Sequence, residues 1–169
     1  GDPLFGQIAA SPREVLDGFD QTVWLLKPGN DTLDRLAVRF LRTLEKPLES
    51  AGLKAQWSVP DDLPAVSLKP EAQRDLLLIL RESLHNVLKH AHATQVRFEL
   101  ALAGDDLVMA LTDDWCGFDP AAIPVDHPHG LNNLRHRVGK WQGRVEIVSR
   151  PGDGTQIKLS VPLKNLSAE

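Results

Sequence analysis

Residues 82–90 combine an apolar helix face with a polar face that carries four functional groups. At about 100° per residue in an α-helix, Glu82 and Asn86 lie about 40° apart, with Lys89 and His90 on either side. The apolar residues on the opposite face are Leu80, Leu84, Val87, Leu88 and Ala91. The pattern predicts a helix that buries one side in a core and leaves the other side free for solvent or a ligand.

The polar face of this helix has the chemistry of a nucleotide site. A carboxylate can polarise a hydroxyl or water, an amide oxygen can ligate Mg²⁺, and Lys and His can bind phosphate oxygens. A solvated face without a ligand is the simpler interpretation of the helix alone, because most amphipathic helices have one. The rest of the chain must decide between the two.

Length and composition indicate a folded, single-domain chain. The 169 residues correspond to one domain, or one domain with an appendage, and 42% hydrophobic residues suffice for a core. The formal net charge of −4 argues against a nucleic-acid binder. The longest uncharged apolar run, residues 76–80, is too short to cross a bilayer. The single cysteine, Cys116, excludes an internal disulfide, and a cytoplasmic environment fits.

Helical periodicity dominates the first half of the chain. A helix is predicted between Ser11 and Pro28, and Asp31 is expected to cap a second one. The apolar stripe of this second helix is Leu33, Leu36, Phe40, Leu41, Leu44 and Leu48. Pro47 is expected to kink or end it, and Gly52 to follow its last turn. Residues 53–59 alternate as a half-buried strand does, and the polar-faced helix is predicted over 70–93.

Strand periodicity dominates the second half. Residues 96–102 and 107–111 predict a hairpin, and residues 145–161 predict another with its turn at 151–154. Between them lie a loop and a short helix over 131–141. Helices on one side of a mostly antiparallel sheet predict an α+β fold built as a two-layer sandwich.

Four short motifs then follow one another in the order found in the GHKL ATPases. The polar helix face resembles their N box, most closely in its sensor histidine kinase form. Asp-Asp-Trp-Cys-Gly-Phe at 113–118 resembles the G1 box, usually Asp-Asn-Gly-x-Gly-Phe. His-Gly-Leu at 129–131 resembles the G2 box, and Gly-Asp-Gly-Thr at 152–155 resembles the G3 box. No single box is specific, but four in this order on matching elements point to one fold.

The resemblance extends over about residues 20–163 and implies a domain division. Residues 20–33 resemble the linker helix that precedes this domain in nitrate-sensor-like histidine kinases. Residues 1–30 would be a linker helix from a missing dimerisation and phosphoacceptor region, and 31–169 the ATP-binding domain. The implied Bergerat (GHKL ATPase) fold is a two-layer α/β sandwich, with helices on one face of a mixed, mostly antiparallel sheet.

The resemblance also implies site residues. Glu82 would orient or polarise the attacking group, and Asn86 would ligate the Mg²⁺ that bridges the ATP phosphates. Asp113 would accept a hydrogen bond from the adenine amino group, with residues 118–129 as the ATP lid. The other nucleotide-binding residues would be Lys89 and His90 at phosphate or ribose, Gly117 beside the base, Gly130 and Leu131 at the helix after the lid, and Thr155 near adenine.

The implied function is that of a two-component sensor histidine kinase. Such a protein transfers the γ-phosphoryl of ATP to a histidine on a separate dimerisation domain, and then to a response regulator. No histidine of this chain is followed by an acidic residue, so the phosphoacceptor is expected upstream. The expected partners are the dimerisation domain of a homodimer and a response regulator. Neither nucleic acid nor direct membrane contact is expected of this domain, although the intact protein could be membrane-anchored.

Two residues depart from the family pattern. Trp115 stands where the G1 box usually has a glycine, and Pro128 where the G2 box has one. The Trp115 ring could form a wall of the adenine pocket or fill it, and the intact N box favours the wall. Two alternatives remain open: a degenerate, pseudokinase-like module that binds a partner, and a serine kinase of the anti-sigma type. The linker-like residues 20–33 argue against the second.

Simpler interpretations accompany the individual motifs. Asp113 and Asp114 could be an exposed loop pair, and the glycines at 152–154 a plain hairpin turn. A zinc site at His127, His129 and His136 lacks partner cysteines, and Cys116 has no neighbouring base that would activate its thiol.

Overall fold

The computed structural model describes residues 31–89, 92–117 and 130–168. The linker helix predicted for residues 1–30, His90 and the lid segment at 118–129 therefore lie outside the described residues. The helices of the described part are α1 (Leu33–Ser50), α2 (Pro70–Lys89), α3 (Gly130–Lys140) and the short α4 (Leu163–Leu166). Its strands are β1 (Lys54–Ser58), β2 (Gln95–Ala103), β3 (Asp106–Asp113), β4 (Arg144–Ser149) and β5 (Thr155–Pro162).

The strands form one mixed sheet in the order β1-β2-β3-β5-β4. β1 pairs with β2 in parallel, and every other neighbouring pair is antiparallel. Parallel neighbours need a crossover connection, and α2 supplies it between β1 and β2. The two predicted hairpins are confirmed as β2–β3 and β4–β5. The α+β fold with a mostly antiparallel sheet is thus confirmed.

One face of the sheet carries the helices, and the strand sequences show why. Inward residues alternate with outward ones, so that Val96, Phe98 and Leu100 of β2 are buried while Arg97 is exposed. The stripe of α1 packs onto this face, with Phe40 and Phe98 in edge-to-face contact at 6.0 Å between ring centroids. Such a pair adds about 0.5–1.5 kcal/mol beyond area burial. The core therefore lies between the sheet and its helices.

The start of α1 differs from the prediction. Thr32, not Asp31, is the N-cap residue, and it makes no side-chain capping hydrogen bond. The carboxylate of Asp31 instead pairs with Arg39 at 2.7 Å. Its carbonyl accepts a hydrogen bond from the Leu68 amide at 3.2 Å, which ties the residue to the segment before α2. The ion pair with Arg39 of the same helix and the backbone contact with Leu68 thus replace the capping role predicted for Asp31.

The end of α1 is set by glycine rather than by proline. Pro47 lies inside the helix, which continues to Ser50. Gly52 has φ +72° and donates its amide to Glu49, while the Leu53 amide donates to Leu48, both at 2.9 Å. These two bonds form a Schellman motif, for which a left-handed residue is required. The predicted position of Gly52 after the last turn is confirmed. The helix does not end at Pro47, so that part of the prediction is wrong.

The predicted half-burial of β1 is also wrong. All of its residues are exposed, including Trp57, which keeps 38% of its surface in solvent although it aligns with the buried Phe98. The physical reason is position: β1 is an edge strand, covered on its inner side only in part. Apolar contact with the core comes instead from the flanking Leu53 and Val59.

A carboxylate joins the start of β2 to the end of β3. Asp114 accepts hydrogen bonds from the amides of Thr94 at 2.8 Å and Gln95 at 3.0 Å, and from the Thr94 hydroxyl. Partial burial acts to raise the pKa of Asp114, but these hydrogen bonds outweigh it and hold the pKa below its ordinary value. The segment after α2 is therefore fixed against the strand end that carries Asp113.

Asp114→Asn should lower the free energy of unfolding at pH 7 by about 1 kcal/mol, a value kept small because the carboxylate is largely exposed. Because the folded-state pKa lies below the unfolded value of about 3.9, this stabilisation exists above that pH and disappears as the pH falls through the folded pKa. Urea unfolding at pH 7 and pH 3 measures both effects. Asp105→Asn, at an exposed turn, is the matched charge control. A gap between Asp114→Asn and the parent that is as large at pH 3 as at pH 7 would contradict the assignment.

Candidate functional site

The carboxylate of Asp113 lies at the end of the central strand. It is the last residue of β3, it is 9% exposed, and it pairs with Val96 of β2 and Thr155 of β5. One carboxylate oxygen accepts the Trp115 amide at 3.0 Å, which turns the chain away from the sheet. The exposed-pair interpretation is therefore wrong for Asp113 and right only for Asp114, whose surface is exposed.

Two turns meet here through backbone alone. Gly117 has φ +64°, and a Cβ at that residue would lie 2.0 Å from the Arg150 carbonyl oxygen. Gly154 has φ +79°, and its Cβ would lie 2.1 Å from the Asp113 carbonyl oxygen. The Gly152 amide donates to the Cys116 carbonyl at 2.5 Å. The 152–154 turn is thus more than a plain hairpin turn, because it packs against the segment that follows Asp113 and leaves no room for a Cβ at Gly154 or Gly117.

Thr155 has a hydroxyl partner that the sequence analysis did not identify. The Ser149 hydroxyl donates to the Gly154 carbonyl at 3.0 Å and lies 2.9 Å from the Thr155 hydroxyl. Ser149 and Thr155 are direct partners in the β4–β5 register. The register of the predicted hairpin could have suggested this pair. Ser149 therefore orients Thr155 beside the end of β3.

The polar face of α2 lies as predicted where it is described. Glu82 and Asn86 are half-buried and Lys89 is exposed, while Leu80, Leu84 and Val87 face the core. Within the described ranges, the side chains of Glu82, Asn86 and Lys89 make no hydrogen bond or ion pair. Their polar atoms are therefore available to a ligand.

The buried side of α2 is wider than predicted. It includes three polar residues, Gln73, Asp75 and Ser83. Ser83 donates to the carbonyl of Ile79 at 2.9 Å, and the Gln73 amide group donates to Leu68 at 2.9 Å. Leu88 is only half-buried, whereas His90 and Ala91 lie outside the described ranges. Satisfied hydrogen bonds let these polar groups share the core side of the helix.

Trp115 packs beside the chain that follows α2. Its indole ring is half-buried, contacts the hydrophobic core, and stacks on His92 with centroids 6.4 Å apart and an interplanar angle of 16°. The next residue, Cys116, is exposed. A large ring thus stands close to the Gly117–Gly154 contact and still presents part of its surface to solvent.

The helix predicted over 131–141 is α3, and Gly130 opens it. Leu131 is half-buried, and Leu134 and Val138 anchor the helix in the core. Pro128 and His129 lie outside the described residues, and His136 is exposed. Among residues 31–89, 92–117 and 130–168, no three His, Cys, Asp or Glu side chains come together as a metal cluster. No helix in this part of the chain is long and apolar enough to cross a membrane.

Comparison with known proteins identifies relatives of this chain. A sensor-like histidine kinase of Chloroflexus aurantiacus is 32% identical over 77% of this chain and 23% of its own length. The NarQ homolog of Haemophilus influenzae, a sensor protein, is 30% identical over 88% of this chain and 28% of its own. The sensor histidine kinase LiaS of Bacillus subtilis is 28% identical over 64% of this chain and 29% of its own length. The chain thus spans about a quarter of the length of the curated relatives it matches.

Solved structures share the fold. The histidine kinase domain of the blue-light-activated kinase EL346 from Erythrobacter litoralis superimposes with a TM-score of 0.65 at 18% identity, over 89% of this chain and 72% of that one. The catalytic domain of the histidine kinase ThkA superimposes with a TM-score of 0.61 at 10% identity, over 78% of this chain and 92% of that one. A family model described as histidine kinase-, DNA gyrase B- and HSP90-like ATPase matches residues 71–165. This match spans more than half of the chain, which belongs to that ATPase family.

Proposed function

We propose that this chain is the ATP-binding catalytic domain of a two-component sensor histidine kinase. One observation carries the proposal: the buried carboxylate of Asp113 stands beside two turns whose backbones touch at Gly117 and Gly154. The crossover helix of the same fold presents Glu82 and Asn86, whose side chains have no hydrogen-bond partner among the described residues. A carboxylate acceptor beside closely approaching backbone suits a flat base with an amino group, and a polar helix face suits a triphosphate.

Asp113 and the two turns form the adenine end of the proposed site. Asp113 accepts the exocyclic amino group of adenine, because an ionised carboxylate is an acceptor with two oxygens. The Trp115 amide already occupies one direction of the carboxylate and fixes its rotation. Gly117 belongs to this end because its missing side chain lets the segment after Asp113 lie against the Arg150 carbonyl. Thr155, oriented by Ser149, lies next to Asp113 in the β3–β5 register.

The polar face of α2 forms the phosphate end. Asn86 would hold Mg²⁺ through its amide oxygen, and the ion would supply charge neutralisation to the phosphates. The residues present fit this ion, because Mg²⁺ is commonly held by few protein oxygens together with substrate phosphates rather than by an all-protein cage. Glu82 orients the attacking imidazole, while Lys89, His90 and the start of α3 at Gly130 and Leu131 bind phosphate oxygens.

The whole protein extends beyond this chain. It transfers the γ-phosphoryl of ATP to a histidine on the dimerisation domain of a homodimer, and then to a response regulator. The sensor proteins of Chloroflexus, Haemophilus and Bacillus to which the chain is similar support this assignment. Residues 1–30 serve as the linker helix and residues 31–169 as the ATP-binding domain, in which residues 118–129 form the lid. The domain works in the cytoplasm, as part of a protein that a membrane segment anchors.

Asn86→Ala should abolish the Mg²⁺-dependent part of ATP binding while the domain stays folded, because Asn86 is half-buried and makes no hydrogen bond within the described residues. Calorimetric titration of ATP with Mg²⁺ and with EDTA measures that part. His85→Ala, on the adjacent exposed position of the same helix, is the matched control and should bind as the parent does. Equal Mg²⁺ dependence in the parent and Asn86→Ala would refute the assignment.

Asp113→Asn should weaken ATP binding by about 1.5–3 kcal/mol, or roughly 10- to 150-fold in Kd, because it removes one buried charge-assisted hydrogen bond. The parent should also prefer ATP to GTP, since guanine presents a carbonyl where adenine presents its amino group. Competition titrations with both nucleotides test each statement, and Asp105→Asn controls for the change in charge. Parent-like affinity in Asp113→Asn, or equal competition by GTP, would remove Asp113 from the adenine site.

Trp115 decides between a kinase and a pseudokinase-like module. If its ring forms a wall of the pocket, as we expect, nucleotide should change the fluorescence of Trp115, and Trp115→Gly should alter the Kd less than about 10-fold. Subtracting the spectrum of Trp115→Phe isolates this ring from Trp24, Trp57 and Trp141. A parent that binds no ATP, with binding gained in Trp115→Gly, would instead identify the ring as a plug and favour the partner-binding alternative.

A further inference from the structure

A buried carboxylate on α2 takes no part in the site proposed above. The side chain of Asp75 is only 4% exposed, although it lies on the same helix as Glu82 and Asn86. It accepts Arg137 Nη1 at 3.2 Å, Lys140 Nζ at 3.0 Å and Trp141 Nε1 at 2.9 Å. A buried carboxylate is costly unless it is paired and hydrogen-bonded, and three donors meet that requirement here.

All three donors come from one place, the C-terminal end of α3. Arg137 and Lys140 lie in its last turn, and Trp141 is the next residue. The chain leaves α3 immediately afterwards through Gln142, a non-glycine residue with φ +58°, and Gly143, whose amide donates to Val138 at 3.0 Å. Lys140 Nζ also stands 4.9 Å from the centroid of the Trp141 ring. The end of α3 is therefore held both by its own termination and by Asp75.

The opposite end of α3 is the one that matters for the nucleotide. The helix has 11 residues and begins at Gly130. At about 1.5 Å per residue it is about 16 Å long, and a packed helix moves as a rigid body over that length. The distance along α2 from Asp75 to Asn86 is also about 16 Å by the same rise. A helix of this length that is held at Asp75 is therefore long enough to reach the level of Asn86.

We propose that Asp75 is a positioning residue for nucleotide binding: by holding the C-terminal end of α3, it sets where Gly130 and Leu131 stand relative to Glu82 and Asn86. This inference rests on the proposed function. Asp75 touches neither substrate nor metal. Its effect is transmitted by α3, and by linkage a bound nucleotide must stabilise the Asp75 contacts by the same free energy by which they strengthen binding.

The test replaces Asp75 by asparagine, which keeps the size and one acceptor oxygen but removes the charge that attracts Arg137 and Lys140. In the presence of Mg²⁺, we expect the Kd for ATP to rise about 3- to 10-fold. The matched control is Ser160→Ala, which removes the hydrogen bond to Asp106 at the opposite end of β3 and should lower the Tm without changing the Kd. Lys140→Gln, at a largely exposed position, is a milder second variant, with an expected rise of about 2-fold.

A second measurement distinguishes positioning from mere stabilisation. The Trp141 indole N–H, bonded to Asp75, gives its own signal in a ¹⁵N-correlated spectrum. Mg²⁺–ATP should shift this signal in the parent and shift it less in Asp75→Asn. If the folded variants bind ATP with the affinity of the parent, or if Mg²⁺–ATP moves the indole signal equally in the parent and in Asp75→Asn, the positioning role alone is overturned. A parent that binds no ATP overturns the proposed function and this inference together.

Discussion

The contact between Gly117 and Gly154 is the constraint on which the candidate site depends. Each residue has a positive φ, and each presses its backbone against a carbonyl of the other turn or of β3, leaving no space for a Cβ. Glycine loses more conformational entropy on folding than other residues, so this contact costs stability that packing elsewhere must offset. In return, the turn after Asp113 and the turn before Thr155 come into direct backbone contact at Gly117 and Gly154.

The helix α2 serves the core, the site and the neighbouring helix at once. The face of α2 that carries Leu80 and Leu84 packs against the sheet. On the opposite face, the side chains of Glu82 and Asn86 have no hydrogen-bond partner among the described residues. Asp75, near its start, turns inward and binds the end of α3. Because the helix is also the crossover between β1 and β2, these roles share one rigid element. A single shift of α2 would therefore alter all of them together.

The sequence predicted the features that depend on local periodicity and on motif order. The hairpins, the stripe of α1, the role of Gly52 and the polar face of α2 follow from spacings of a few residues. The sequence analysis did not predict the Asp75 contacts, because their donors lie 62 to 66 residues further along the chain. The N-cap at Thr32 was not predicted, because the contacts that Asp31 makes with Arg39 and Leu68 cannot be read from a capping pattern. The exposure of β1 was not predicted, because it follows from the position of the strand at the sheet edge. The roles given to Asp113 and Asn86 came from motif resemblance, which spacing alone could not supply.

The position of β1 has a consequence for how the molecule opens. The strand sits at the sheet edge, hydrogen-bonds along β2 and buries none of its side chains. Local opening free energies follow burial, so amide hydrogens of β1 will exchange with solvent sooner than those of the central β3, whose inward residues lie in the core. Protection thus rises from this edge toward the middle of the sheet. Strand β1 can therefore open and close reversibly at the edge while β3, which carries Asp113, stays paired with its neighbours.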